Sequence, residues 1–283
     1  MDLRLDSEQD SVVDAVRTLL RRTAGPREAG ETSGRLDGEA MRRLSEAGFL
    51  DVASDGAPHD HLTVLLVTEE AARGLVSAPV GARALVAAYA GVPDPPLTIG
   101  LALGQGSIVR WGADVDAVLM LQGATVRLLR PGDMTAERVP SRMTYPLARV
   151  TARPDRGEVV PGTARSGHGG AADDGAGARM TRAWRTVLAA EIAAAMIGAV
   201  DVARAHVSAR TQFGRPIGSL QAVQHRLAEA HVHAQGSMWL ARRAAWELGS
   251  ERQTALAATY ATAAASAVFD AVHQVLRDQA GRF

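Results

Sequence analysis

The 283-residue chain has no cysteine, which excludes a disulfide framework, a thiolate metal centre and a cysteine nucleophile. It has no lysine either, so all 31 basic residues are arginine, balanced by 31 acidic ones. We attribute the arginine-only usage to codon bias in a GC-rich genome and attach no function to it. With zero formal net charge and a pI near 7.1, no overall basic field points to nucleic acid, although a local cationic site for a phosphate-bearing ligand stays open. Aromatic residues make up only 4%; Ala, Leu and Val carry the apolar content, which suits closely packed helices. The sequence lacks roughly 18 uninterrupted apolar residues of the kind a membrane span needs. Its opening, Met1-Asp-Leu-Arg-Leu-Asp, is charged and has no apolar signal region. These absences lead us to expect a cytoplasmic chain without a membrane span, with a core for one or two domains.

What is present is mostly helical period. Val12, Val13, Val16, Leu19 and Leu20 recur at three- and four-residue steps, and similar patterns cover 39–50 and 62–75. Pro79 suits the first turn of a further helix. Between 93 and 152 the texture changes to short β-prone runs bordered by Gly and Pro: Ala117-Val-Leu-Met-Leu, Thr125-Val-Arg-Leu-Leu and Ala148-Arg-Val-Thr. Residues 153–179 are rich in Gly, Ala, Asp, Ser and Pro and read as a linker or long loop. From Met180 helical period returns, with Ser219 as the expected cap of a helix over 220–248 and Arg242 expected on its solvent side. The expected fold is mostly α with a small β region: an N-terminal helical domain (1–92), a reduced β region (93–152), a flexible linker (153–179) and a C-terminal helical domain (180–283).

The most informative stretch is Ala203-Arg-Ala-His-Val-Ser-Ala-Arg-Thr-Gln-Phe-Gly-Arg-Pro-Ile-Gly-Ser-Leu-Gln. A helix runs into Arg210, breaks at Gly214-Arg215-Pro216, and a new helix starts after Ser219. Such a corner gathers a guanidinium, side-chain amides and the free N–H groups of a helix N-terminus, all of which suit phosphate oxygens. Phe213 adds an apolar face. The pyrophosphate of a dinucleotide or of coenzyme A fits this chemistry; so does an ordinary helix–turn–helix corner with a solvated arginine.

Arg210-Thr-Gln-Phe-Gly-Arg-Pro-Ile, followed by Gln221-Ala-Val-Gln-His-Arg-Leu-Ala, resembles the C-terminal helical domain of the acyl-CoA dehydrogenase family. Leu5-Asp-Ser-Glu-Gln-Asp-Ser-Val-Val, Leu44-Ser-Glu-Ala-Gly-Phe-Leu and Glu69-Glu-Ala-Ala-Arg-Gly-Leu-Val also resemble that family, in the right order. The resemblance implies an acyl-CoA dehydrogenase-like fold with FAD as cofactor, held mainly by a neighbouring subunit. It implies that Arg210 meets the pyrophosphate, that Gln212, Phe213 and Gln221 line the adenosine side, and that Gln274 lies where the family contacts FAD again.

Three departures stand beside the match. The flavin-holding Thr-Glu-Pro-like and aromatic-Ile-Thr-like runs of the family are not recognisable; Thr98-Ile-Gly-Leu-Ala-Leu-Gly-Gln-Gly and Trp111-Gly-Ala-Asp stand in a shortened domain. Gly104-Gln-Gly reads as a turn rather than a phosphate loop. After Gln274 the chain runs through Arg277-Asp278 to Phe283, so the later helix that bears the glutamate base in many members is expected to be missing. Where other members carry that base on the preceding long helix, family spacing gives Trp184, which has no basic group, with Arg185 as the accompanying substrate arginine. Glu191 lies two turns on and nearly on the same face; it is the candidate base, or else a satisfied polar residue between helices.

His225, His231 and His233 lack the i,i+4 ligand pairing of a helical metal site, so no metal is expected. The resemblance and its gaps together imply a subunit of a heteromeric acyl-CoA dehydrogenase. This chain would contribute FAD contacts while an acyl-CoA dehydrogenase-like partner supplies the glutamate for α,β-desaturation of an acyl-CoA. Such enzymes act in fatty-acid or sterol side-chain β-oxidation. Two alternatives remain open: a homomeric acyl-CoA-processing enzyme using Glu191, and a non-catalytic helical binding protein that has lost FAD.

Overall fold

The computed structural model describes residues 5–23, 35–54, 57–141, 145–161, 175–212 and 214–277. The chain opens with α1 (Ser7–Thr23), α2 (Gly38–Glu46) and α3 (Pro58–Arg73). Local chemistry starts each of them. Asp6 accepts from the N–H groups of Glu8 and Gln9, Asp37 accepts from that of Ala40, and Pro58 occupies the first turn of α3. The α1 stripe buries Val16 and Leu20. Helix α3 is buried on nearly every side, from His61 to Glu69, because it sits between α1 and the C-terminal helices. Beyond it a π-helical turn, Ala82–Ala87, runs into the short α4 (Ala88–Ala90). The first helical turn after Pro79 is where the sequence places it.

Two small sheets follow. One joins β1 (Ile99–Ala102), β3 (Ala117–Gln122), β4 (Thr125–Leu129) and β7 (Glu158–Val159), with β1 parallel to β3 and the other pairs antiparallel. The other joins β2 (Ser107–Arg110), β6 (Leu147–Ala152) and β5 (Met134–Val139), all antiparallel. Val109, Trp111, Val118, Met120, Leu129 and Val150 form the core between them. Gly100 permits the close approach, since a Cβ there would come within 2.7 Å of Val109 Cγ1. Strands β3, β4 and β6 coincide with the β-prone runs of the sequence. Strands β1 and β5 carry glycine or charge and show little sequence signal.

The C-terminal bundle is α5 (Ala176–Ala209), α6 (Gln221–Trp246) and α7 (Glu251–Arg277). Helix α5 starts at Ala176, four residues before the expected Met180. Its glycine-rich first turn is a packing device rather than linker, because a Cβ on Gly177 would meet the Ala124 carbonyl oxygen at 2.7 Å. Residues 162–174 of the expected linker lie outside the described residues. Helices α5 and α7 are long and apolar enough to cross a bilayer by length and composition, but half of the apolar window of α5 is buried inside the protein. Ser219 is not the cap of α6; its hydroxyl donates to the Pro216 carbonyl, and Leu220 precedes the helix without a side-chain cap.

Arginine ties the two helical parts together through α3. Arg17 of α1 donates to both carboxylate oxygens of Glu70 at 3.0 Å. Arg73 pairs with Asp201 of α5. Arg242 of α6 is not on a solvent face: its guanidinium lies 2.7 Å from Glu69, which is only 4% exposed. Burial pushes the Glu69 carboxyl above the usual carboxylate range, and Arg242 pulls it part of the way back. The pH consequence follows from linkage. As pH rises from the ordinary carboxylate value towards the raised native one, the unfolded chain loses this proton first, so the Glu69 contribution to stability declines. Removing Arg242 leaves a buried charge without its counter-ion. Arg242→Ala should therefore cost about 3–5 kcal/mol near pH 8 and clearly less near pH 5, where a proton can neutralise Glu69. Denaturant unfolding at the two pH values checks this; an equal cost at both would mean that Glu69 is not the desolvated acid described.

Candidate functional site: the corner between α5 and α6

Helix α5 ends at Arg210, whose N–H still donates to the His206 carbonyl at 2.9 Å while its backbone turns extended. Thr211–Gln212 then pair antiparallel with Arg215–Pro216, with Gln212 opposite Arg215. Gly214 has φ +75°, a left-handed conformation that glycine accepts readily. The Ile217 N–H donates to the Arg210 carbonyl at 2.9 Å and closes the loop. Gly218 packs on Val207 of α5, where a Cβ would sit 3.1 Å from Val207 Cγ2. The hairpin thus holds the end of α5 beside the start of α6.

Arg210 is half-buried at this corner, whereas Gln212 and Gln221 are exposed. Phe213 lies outside the described residues. Gln221 is the first residue of α6, whose N-terminus has no side-chain cap, so N–H groups there are open to an acceptor. Gln274 is exposed in the last turns of α7. The set is chemically suited to an anion with hydrogen-bonding groups on either side: a permanent cation, amides and a helix N-terminus.

A second cluster lies where β2 meets α5. Glu191 is largely buried and accepts from Arg110 at 2.7 Å. Arg110 lies 5.1 Å from the centre of the Trp111 ring and also interacts with Tyr145. The phenol is pushed above its ordinary value mainly by burial, with the Glu191 charge adding to the push and Arg110 opposing it. The Trp111 indole donates to the Ser77 hydroxyl at 3.0 Å, and Trp111 itself has φ +54°, uncommon for a bulky side chain. Glu191 is therefore engaged with a guanidinium and would have to leave it to take a substrate proton. Trp184 is half-buried against the main core, and Arg185 pairs with Glu251 at the start of α7. Sequence reading missed Arg110 and Tyr145, since each stands alone in its segment and only the fold brings them to Glu191.

His233 Nδ1 lies 3.2 Å from the Tyr260 hydroxyl, and no group of metal-ligating residues forms among the described residues.

This architecture, two helical bundles flanking a small β region, is the acyl-CoA dehydrogenase fold. The structure of glutaryl-coenzyme A dehydrogenase with glutaryl-CoA superposes with a TM-score of 0.77 at 19% identity, covering 98% of this chain and 87% of that one. The ChsE4-ChsE5 complex from Mycobacterium tuberculosis gives a TM-score of 0.72 at 20% identity, covering 97% and 88%. Residues 175–280 match the family described as acyl-CoA dehydrogenase, C-terminal domain. Acyl-CoA dehydrogenase FadE34 of Mycobacterium tuberculosis is 32% identical over 224 residues, which is 70% of this chain and 29% of that protein. This chain thus spans less than a third of the length of that curated relative. The chain has the acyl-CoA dehydrogenase fold, and its residues 175–280 match the C-terminal domain of that family.

Proposed function

We propose that the chain is a subunit of a FAD-dependent acyl-CoA dehydrogenase that lends FAD contacts across a subunit interface, while a partner chain supplies the base for α,β-desaturation of an acyl-CoA. The observation that carries this reading is the α5–α6 corner, with Arg210 beside an uncapped helix N-terminus and with exposed Gln212 and Gln221. Those residues fit one end of the cofactor. Arg210 would meet the pyrophosphate, Gln212, Phe213 and Gln221 would line the adenosine side, and Gln274 would stand where the family contacts FAD again. The β region offers less for the ring end: Ala102 and Leu103 hold the strand end before Gly104, and Leu103 is 65% exposed. Bound FAD would supply the hydride acceptor that the chain's own side chains lack.

The partner's role follows from the two candidate base positions on α5. Trp184 cannot remove a proton, and Glu191 is engaged by Arg110. A base must be free to reach the substrate proton, so the homomeric reading with Glu191 as base is disfavoured. A heteromeric relationship is compatible with the likeness to the ChsE4-ChsE5 complex. We place the assembly in the cytoplasm, with fatty-acid or sterol side-chain acyl-CoA as the substrate class.

Two measurements bear on this. Glu191→Gln should leave turnover of the assembled enzyme within about tenfold, since loss of a true general base costs on the order of 10² to 10⁴. A loss in the larger range with unchanged folding would return Glu191 to the base role. Arg210→Ala should weaken flavin retention by the complex about ten- to a hundredfold, the equivalent of a charge-assisted contact of about 1.5–3 kcal/mol. Arg210→Lys should recover only part of that, because an ammonium lacks the guanidinium fork. FAD titration by fluorescence, with a melting curve for each variant, reads both. Unchanged affinity in Arg210→Ala would reduce the corner to a structural turn and favour the reading as a binding protein without FAD.

A further inference from the structure

The junction of α3, α5 and α6 leaves a cavity of about 300 Å³. Ion pairs form much of its wall, and their charges do not balance. Glu69 is held by Arg242, and Glu70 by Arg17. The third carboxylate, Asp201, serves two guanidiniums at once: Arg73 across the junction, and Arg204 three residues further along α5 at 3.3 Å. Four arginines thus meet three carboxylates. The surplus positive charge falls on Arg204, whose side chain is 73% exposed and shares its only carboxylate.

Two polar side chains of α6 line the same cavity, His231 and Gln235. Neither has a hydrogen-bond partner among the described residues. The deeper side is apolar. Ala194, Ile197 and Met238 form it, with Ala194 1% and Met238 5% exposed. A cation short of a counter-ion, two unengaged polar groups and an apolar floor together define a ligand. It carries one negative charge on a planar acceptor, which suits a guanidinium fork, and a short apolar chain. The volume lies at the small end of cavities that hold small molecules, too small for a whole coenzyme A thioester.

We propose that this cavity binds a small aliphatic monocarboxylate, with its carboxylate on Arg204 beside His231 and Gln235 and its chain on Ala194, Ile197 and Met238. The site rests on no part of the flavin assignment, since it lies at the junction with α3 and not at the Arg210 corner. Asp201 and the ligand compete for the same guanidinium, so removing Asp201 strengthens the hold on the ligand.

Calorimetric titration of the full chain with hexanoate tests this. One saturable site with a dissociation constant of about 1 mM or tighter is expected. Hexanamide, and sulfate at matched ionic strength, should bind about tenfold more weakly or worse, lacking the charge or the chain. Arg204→Gln should weaken hexanoate binding about tenfold, the loss of one charge-assisted contact. Its ligand-free melting temperature should not move, because so exposed a pair contributes little. Asp201→Asn should bind hexanoate about threefold more tightly, its competing acceptor being gone. Arg210→Ala should leave hexanoate affinity as it is. No saturable binding up to about 20 mM, equal binding of hexanoate and hexanamide, or an affinity that Arg204→Gln leaves unchanged overturns the proposal. So does weaker binding in an Asp201→Asn protein that melts normally. A loss in Arg210→Ala as large as that in Arg204→Gln also overturns it, by moving hexanoate to the corner.

Discussion

The buried contact between Glu69 and Arg242 is the constraint around which the molecule is arranged. Two helical parts separated by more than a hundred residues meet at a carboxylate that is 4% exposed, and that group is tolerable only while a guanidinium stays beside it. Its neighbours on α3 reinforce the junction in other directions, Glu70 towards α1 and Arg73 towards α5. Helix α5, which packs on α3, is one continuous element of 34 residues. It joins the Arg110–Glu191 cluster beside the sheets to the Arg210 corner at its end, about 28 Å further along the helix at 1.5 Å per residue. The spacing between the two clusters is thus set by a rod rather than by loops.

Helix periodicity was readable in the sequence, because buried stripes such as Val16 and Leu20 recur at the helical step whatever they pack against. The central strands were readable for the same reason, being continuous apolar runs. What sequence patterns cannot show is close packing by small residues. Gly177 and its neighbours have the composition of a linker, yet they form the first turn of α5 against the β3–β4 turn. Arg242 was misplaced because an arginine on a helix reads as solvent-facing unless its partner, 173 residues earlier in the chain, is known. The α5–α6 corner was legible as a unit because its chemistry is local: a helix end, a glycine turn and a new helix start within a dozen residues. The Arg110–Tyr145–Glu191 cluster was not, since its members come from three separate segments.

The β region carries its own small core beside the helices. Its two sheets keep a core of their own around Trp111, Met120 and Val150. At the end of β1, however, small and apolar side chains occupy the approach to the Gly104 turn.

The ion pairs described above share one chemical trait: in each, the cationic partner is a guanidinium. Arginine does not release its proton at any pH a folded protein survives, whereas a lysine ammonium set in the same low-dielectric surroundings surrenders its charge readily. The electrostatic scaffold of α3 is therefore insensitive to alkali on its positive side, and its response to acidity rests on the carboxylates alone. An arginine-only alphabet, whatever produced it in the genome, leaves this junction with charges that can be switched from one direction only.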